Sequence, residues 1–160
     1  MRRMSAPAIA VMLVDDHAVV REGYRRLVEK HPDMEVVAEA PDGDAAYRLY
    51  KNHRPDVVVL DLSMPGRGGI EVVRHLLQWD RRARVLIFTM HRNAAYAEQA
   101  FQAGARGYIT KSSAPDLLIS AIRDVHAGRR AISADVSHVL ALTRIDGESS
   151  APDRLSPREF

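Results

Sequence analysis

The chain has 160 residues, the length of one ordinary domain with a short extension, and its hydrophobic fraction of 46% suffices for a buried core. Its 23 Lys and Arg against 21 Asp and Glu leave a net charge of +2, so the pI near 9.1 reflects a small basic excess rather than a nucleic-acid-binding block. The lack of cysteine excludes disulfides, thiol catalysis and cysteine-ligated metals, and no apolar run approaches the roughly 18 residues of a membrane span.

Arg2 and Arg3 precede the apolar run Ile9–Val14. That run is too short for a signal peptide, and Asp15 and Asp16 follow it at once. Residues 1–7 therefore read as a disordered start, and the protein as cytoplasmic. Ile9–Val14 is the first strand. Over 18–30 the apolar positions Val20, Tyr24, Leu27 and Val28 fall at helical spacing, and His31-Pro32 closes that helix. Residues 35–40 form a second strand. Asp42 is placed to cap a helix whose inner face is Ala45, Ala46, Leu49 and Tyr50, ending before Pro55.

Val57–Leu60 is a β-branched apolar run, as expected of a strand buried on both faces. It ends on Asp61, and Pro65 and Gly66 then turn the chain. Gly69–Trp79 reads as a helix with Ile70, Val73, Leu76 and Leu77 inward. A strand over 84–89 and a helix over Ala94–Ala103, stopped by Gly104, come next. Gly107–Thr110 is a short fifth strand, after which Ser113 and Pro115 open a helix that runs to Gly128. A further helix fits 134–143. Residues 146–153 have linker composition, and Leu155-Ser156-Pro157-Arg158-Glu159 carries a helix-start signature. Five strands alternating with five helices over short connections predict a parallel sheet covered on both faces.

Parallel strands deliver their carboxyl ends to one edge, where ligands bind in open α/β sheets. Asp15 and Asp16 follow the first strand, Asp61 ends the third, Thr89 ends the fourth and Lys111 lies just past the fifth. Taken singly, each has a bland reading: a helix cap, a strand terminator, a solvated lysine. Together they place three carboxylates, a hydroxyl and an ammonium in one crevice. Carboxylates so close repel one another and call for a hard cation such as Mg²⁺. A metal beside a carboxylate, a hydroxyl and a lysine suits phosphoryl transfer, with the carboxylate itself able to act as nucleophile.

The motifs Val14-Asp15-Asp16-His17, Leu60-Asp61-Leu62-Ser63-Met64-Pro65-Gly66, Thr89 and Gly107-Tyr108-Ile109-Thr110-Lys111 resemble the receiver domain of two-component response regulators, over about residues 8–128. The resemblance implies an α/β fold, a flavodoxin-like (βα)5 doubly wound parallel sheet of strand order 2-1-3-4-5, with a receiver domain at 8–129. It implies that Asp61 accepts the phosphoryl group from a sensor histidine kinase. Mg²⁺ would be bound by Asp16, Asp61 and the backbone carbonyl of Ser63, with Asp15 acting largely through water. Thr89 and Lys111 would hold the phosphoryl oxygens, Tyr108 would be the aromatic switch, and Met90 would overhang the crevice and tune access of water.

Residues 111–129 and 154–159 resemble the NarL/FixJ subfamily. There 130–154 would be a linker bearing a helix, and 155–160 the first residues of a missing LuxR-type helix-turn-helix domain. DNA would be contacted only through that domain, homodimers would form on phosphorylation, no membrane would be involved, and no free substrate would be turned over. Many receivers carry proline after the lysine; here Ser112 stands there, so the loop geometry is open. Three other readings are weaker. A metal-dependent phosphohydrolase usually has a second aspartate where Ser63 stands. A flavin binder would have its phosphate repelled by the acidic cluster. A degenerate docking module would not keep the full acidic set.

Overall fold

The structure, a computed structural model, describes residues 7–63 and 68–150, with side chains through 143. Six parallel strands form one sheet: β1 (Ile9–Val14), β2 (Met34–Ala40), β3 (Val57–Leu60), β4 (Val85–Thr89), β5 (Gly107–Thr110) and β6 (Ala131–Ile132). Their order is β2-β1-β3-β4-β5-β6. The expected order 2-1-3-4-5 is present, extended by a sixth strand of two residues that is too short to show any periodicity in the sequence.

The helices are α1 (Ala18–Glu29), α2 (Gly43–His53), α3 (Gly69–Trp79), α4 (Ala94–Ala103), α5 (Pro115–His126) and α6 (Ala134–Ser150). The central strands β3 and β4 are buried at every position, because helices cover both sides. On one face α2, α3 and α4 bury Ala46, Tyr50, Val72, Val73, Leu76, Ala97 and Ala100 against Met12, Val58, Leu60 and Ile87. On the other, α1 and α5 bury Val28, Leu118, Ile122 and Val125 against Val11, Val59, Leu86 and Ile109. Alternate residues of each strand serve opposite layers, as the two-residue period of a strand requires.

Local chemistry sets several boundaries. The Asp42 carboxylate caps α2 by accepting the Ala45 N–H at 2.9 Å. Gly104 ends α4 with φ +111°, and a Cβ there would strike the Leu77 side chain. Two expectations are corrected. Ser113 does not cap α5: Ala114 is the N-cap, without a side-chain bond, and the Ser113 hydroxyl turns to Thr110 Oγ1 at 3.2 Å instead. Pro115 in the first turn supplies the start on its own, since the missing N–H would have no partner there. Residues 146–150, of linker composition, are helical as the end of α6. Composition is a weak prior, and a helix already nucleated upstream adds residues at little cost. The turn at Pro65 and Gly66 and the helix start at 155–159 lie outside the described residues.

The strand order reverses direction between β1 and β3, which are neighbours in the sheet. In such sheets the crevice opens at this switch point, beyond the carboxyl ends of the strands. Asp15 and Asp16 follow β1 there, and Asp61 follows β3.

Candidate functional site

The turns that follow β1, β3 and β5 carry Asp15, Asp16, Asp61 and Lys111 to that crevice. Asp15 is 5% exposed and Asp61 4%. Lys111, one residue past β5, reaches across to donate to Asp15 Oδ2 at 2.7 Å and Asp61 Oδ2 at 3.2 Å. The other oxygen of each carboxylate takes a backbone N–H: His17 to Asp15 Oδ1 at 2.9 Å and Ser63 to Asp61 Oδ1 at 3.1 Å. Arg21 donates to the Asp15 backbone carbonyl and pairs with Glu39 at 3.0 Å, which steadies the turn after β1.

Charge does not balance in the crevice, where Asp15 and Asp61 are buried and Asp16 is half-buried. Three carboxylates face one ammonium. Burial pushes the Asp15 carboxyl up, but the bond to Lys111, the His17 N–H and the Lys111 charge outweigh it and hold the carboxyl below its ordinary range. Burial pulls Lys111 down, and its two carboxylate partners more than restore it. Asp16 Oδ1 is shielded from water and makes no hydrogen bond among the described residues, although His17 Nδ1 lies 3.0 Å away. One ligand atom from each of Asp15, Asp16, His17 and Asp61 lies within 4.8 Å of the others. A shielded carboxylate oxygen whose near neighbour is an imidazole nitrogen, in a cluster of surplus negative charge, fits a cation site.

The second half of the site lies at the ends of β4 and β5. Thr89 and Thr110 are register partners, and both are buried. Thr89 Oγ1 accepts the His91 N–H at 3.4 Å and makes no bond to Asp61. Tyr108 is fully buried, and its hydroxyl donates to the His91 carbonyl at 2.8 Å. His91 Nε2 lies 2.9 Å from Ser63 Oγ, and its ring meets Tyr96 edge-on at 5.0 Å. His91 therefore joins the loop after Asp61, the Thr89 hydroxyl and Tyr108. Met90 stands 66% exposed at the end of β4.

Of the residues read from sequence, Asp15, Asp61 and Lys111 are in direct contact, Asp16 adjoins them, and Thr89 with Tyr108 forms a separate pair linked through His91. His17 closes the motif Val14-Asp15-Asp16-His17 without a role assigned to it there, and His91 belongs to no motif. For His91, adjacency to Met90 is the signal the sequence offers.

The sequence matches the family described as response regulator receiver domain over residues 11–123. The chain is a receiver domain of the response regulator family. It is 39% identical over 154 residues to response regulator UvrY of Escherichia coli K12, covering 95% of this chain and 71% of that protein. Among solved structures, a LuxR-family two-component response regulator from Aurantimonas sp. SI85-9A1 is 56% identical, with a TM-score of 0.84 over 86% of this chain and 99% of that one. The isolated receiver domain of RcsB from Salmonella enterica serovar Typhimurium, solved with the phosphomimetic BeF3⁻, is 26% identical, with a TM-score of 0.78 over 83% of this chain and 99% of that one. The resemblance to regulators of the NarL/FixJ kind thus stands. Phosphorylation on an aspartate is general for receiver domains of this family. Among the described residues, no helix is long and apolar enough to cross a membrane.

Proposed function

We propose that Asp61 is the phosphoacceptor of this receiver, and that a sensor histidine kinase is the donor. The observation that carries the reading is the placement of Asp61: buried, at the end of β3, with one oxygen held by Lys111 and the other by the Ser63 N–H. A carboxylate fixed at both oxygens presents a defined lone pair to an incoming phosphorus. An Asp61 oxygen attacks, the phosphorus–nitrogen bond to the kinase histidine breaks, and an acyl phosphate forms. Lys111 then compensates the charge on the transferred group, and the Thr89 hydroxyl donates to one of its oxygens.

Mg²⁺ is the proposed cofactor, with Asp16, Asp61 and the Ser63 carbonyl as direct ligands and Asp15 acting mainly through water. The donor set, oxygen-rich and with an Asp16 Oδ1 that makes no hydrogen bond among the described residues, supports it. When bound it would supply positive charge against the phosphoryl oxygens. Met90 would tune how readily water reaches the acyl phosphate, and Tyr108 would report the state of Thr89. The receiver unit is placed at 8–129, with 130–154 linking it to its output. Phosphorylation favours homodimers, DNA is contacted through a separate output domain, the compartment is the cytoplasm, and no free substrate is turned over.

The test is intact-protein mass after incubation with acetyl phosphate and Mg²⁺. The wild type gains one phosphoryl mass and Asp61→Asn gains none. An Asp61→Asn chain that still takes up phosphate would move the acceptor elsewhere. In a second measurement, Met90→Ala loses phosphate faster than the wild type; an equal or slower loss refutes the access role.

A further inference from the structure

We infer that His17 is a nitrogen ligand of the divalent-cation site, so that the site discriminates in favour of imidazole-seeking ions such as Ni²⁺. The inference rests on the reading that Asp15, Asp16 and Asp61 hold a cation. His17 Nδ1, and not Nε2, faces the cluster: it lies 3.0 Å from Asp16 Oδ1 and 3.3 Å from Asp15 Oδ1. Those two oxygens are the ones that Lys111 leaves free, since it binds Oδ2 of Asp15. The His17 backbone is already fixed at the site, because its N–H donates to Asp15 Oδ1 at 2.9 Å. Its side chain is 64% exposed, so the ring turns onto an ion without displacing any packing. Donor atoms of all four residues come within 4.8 Å of one another, close enough for small rotations to bring them onto one ion.

Donor chemistry then sets the preference. Mg²⁺ takes oxygen ligands, keeps several waters and gains little from an imidazole. Ni²⁺, Cu²⁺ and Zn²⁺ bind imidazole well and stand high in the divalent affinity order. A site of carboxylates alone is served by Mg²⁺ without His17, whereas the nitrogen adds affinity only for the softer ions. The plain alternative is that His17 merely pairs with the carboxylates as a positive charge. It would then compete with every cation alike, and its removal would strengthen Mg²⁺ and Ni²⁺ together.

Calorimetric titration of the untagged chain with Mg²⁺ and with Ni²⁺, for wild type, His17→Ala and Asp16→Asn, separates these cases. The expected result is that His17→Ala weakens Ni²⁺ by about tenfold or more while Mg²⁺ shifts by less than about twofold, and that Asp16→Asn weakens both. Retained Mg²⁺ binding shows that the His17→Ala site is intact. Unchanged Ni²⁺ affinity, equal strengthening of both ions, or equal loss of both overturns the inference while leaving the carboxylate site standing. A wild type that binds no Mg²⁺ overturns the site reading and the inference together.

Discussion

Among the described residues, Lys111 is the cation that hydrogen-bonds both Asp15 and Asp61, and both its partners are buried. Removing one side of a buried pair costs more than the pair contributes, because the remaining charge has no compensation. Lys111→Ala should lower the unfolding free energy by about 2–4 kcal/mol, whereas Asp61→Asn, which relieves repulsion among the carboxylates, should leave it unchanged or raise it. Urea melts without metal check both; equal losses in the two variants would refute the charge imbalance. Away from the crevice, the Tyr50 hydroxyl donates to Asp80 Oδ2 at 2.8 Å. That bond holds the Asp80 carboxyl below its ordinary range, while burial and then Asp80 push the Tyr50 phenol well up. A depressed acid contributes stability that is lost as pH falls through the carboxylate range; a raised phenol contributes stability that is lost as pH rises beyond about 10. Tyr50→Phe should therefore cost about 1–2 kcal/mol near neutrality and flatten both flanks of the stability–pH profile. The site carboxylates were legible in the sequence because each ends a strand whose neighbours share its direction. The roles of His17 and His91 were not, since these are made by loop backbones that bring a ring to a carboxylate or a serine, and no periodicity encodes that.

At the scale of elements, the first five strands and five helices were legible from apolar runs, Asp42, Gly104 and Pro115, all of which act locally. The helix over 134–143 was legible too; what escaped, β6 and the seat of α6, was set by tertiary contact. β6 exists because Ala131 and Ile132 pair with Gly107 and Tyr108, and α6 packs on α4 and β5 through Val136, which is fully buried, and Leu140. A polar latch holds the start of α6. Thr110 Oγ1 donates to Asp135 Oδ2 at 2.7 Å, the Ser133 hydroxyl accepts the Thr110 N–H at 3.3 Å, and the Ser133 N–H donates to the Tyr108 carbonyl at 3.2 Å. Ser112, standing where many receivers have proline, joins this cluster through Thr110 Oγ1 at 3.0 Å. Burial raises the Asp135 carboxyl, and the Ser133 and Thr110 hydroxyls more than reverse it, so the latch weakens as pH falls through the carboxylate range. Asp135→Ala should speed amide hydrogen exchange along α6 and leave β1, β3 and β4 as protected as before, because an element can open alone when its anchoring contacts are few. Exchange that rises equally across the sheet would show that α6 is part of the global unit rather than a separable one.

For the whole molecule, the hydrogen bonds around His91 describe a resting state that a phosphoryl group would disturb. Thr89 Oγ1 accepts from the His91 N–H, and Tyr108 donates to the carbonyl of the same residue. A phosphoryl group on Asp61 adds between one and two negative charges, on the order of those of phosphoserine, and three strong acceptor oxygens. Rotating Thr89 about χ1 so that its hydroxyl donates to one of them would carry Oγ1 away from the His91 N–H. The loop that carries the Tyr108 acceptor is then free to shift, and Tyr108 shares its apolar cluster with Ala97 and Ala100 of α4 and Val136 of α6. A change in one hydroxyl would thus be passed to α4 and α6 through side chains in one cluster. Only interactions that differ between the two arrangements move the balance, and about 1.4 kcal/mol of difference shifts it tenfold, within reach of one charge-assisted hydrogen bond. Loading with beryllofluoride and Mg²⁺ should therefore change the self-association of the chain, and Thr89→Ala should bind the mimic without that change. Sedimentation velocity over a range of concentrations reads the first, and fluorine resonance of the bound mimic reads the second. Identical sedimentation of the wild type with and without bound mimic removes self-association as the output. A Thr89→Ala chain that responds as the wild type does shows that the signal leaves the crevice by a route other than Thr89, His91 and Tyr108.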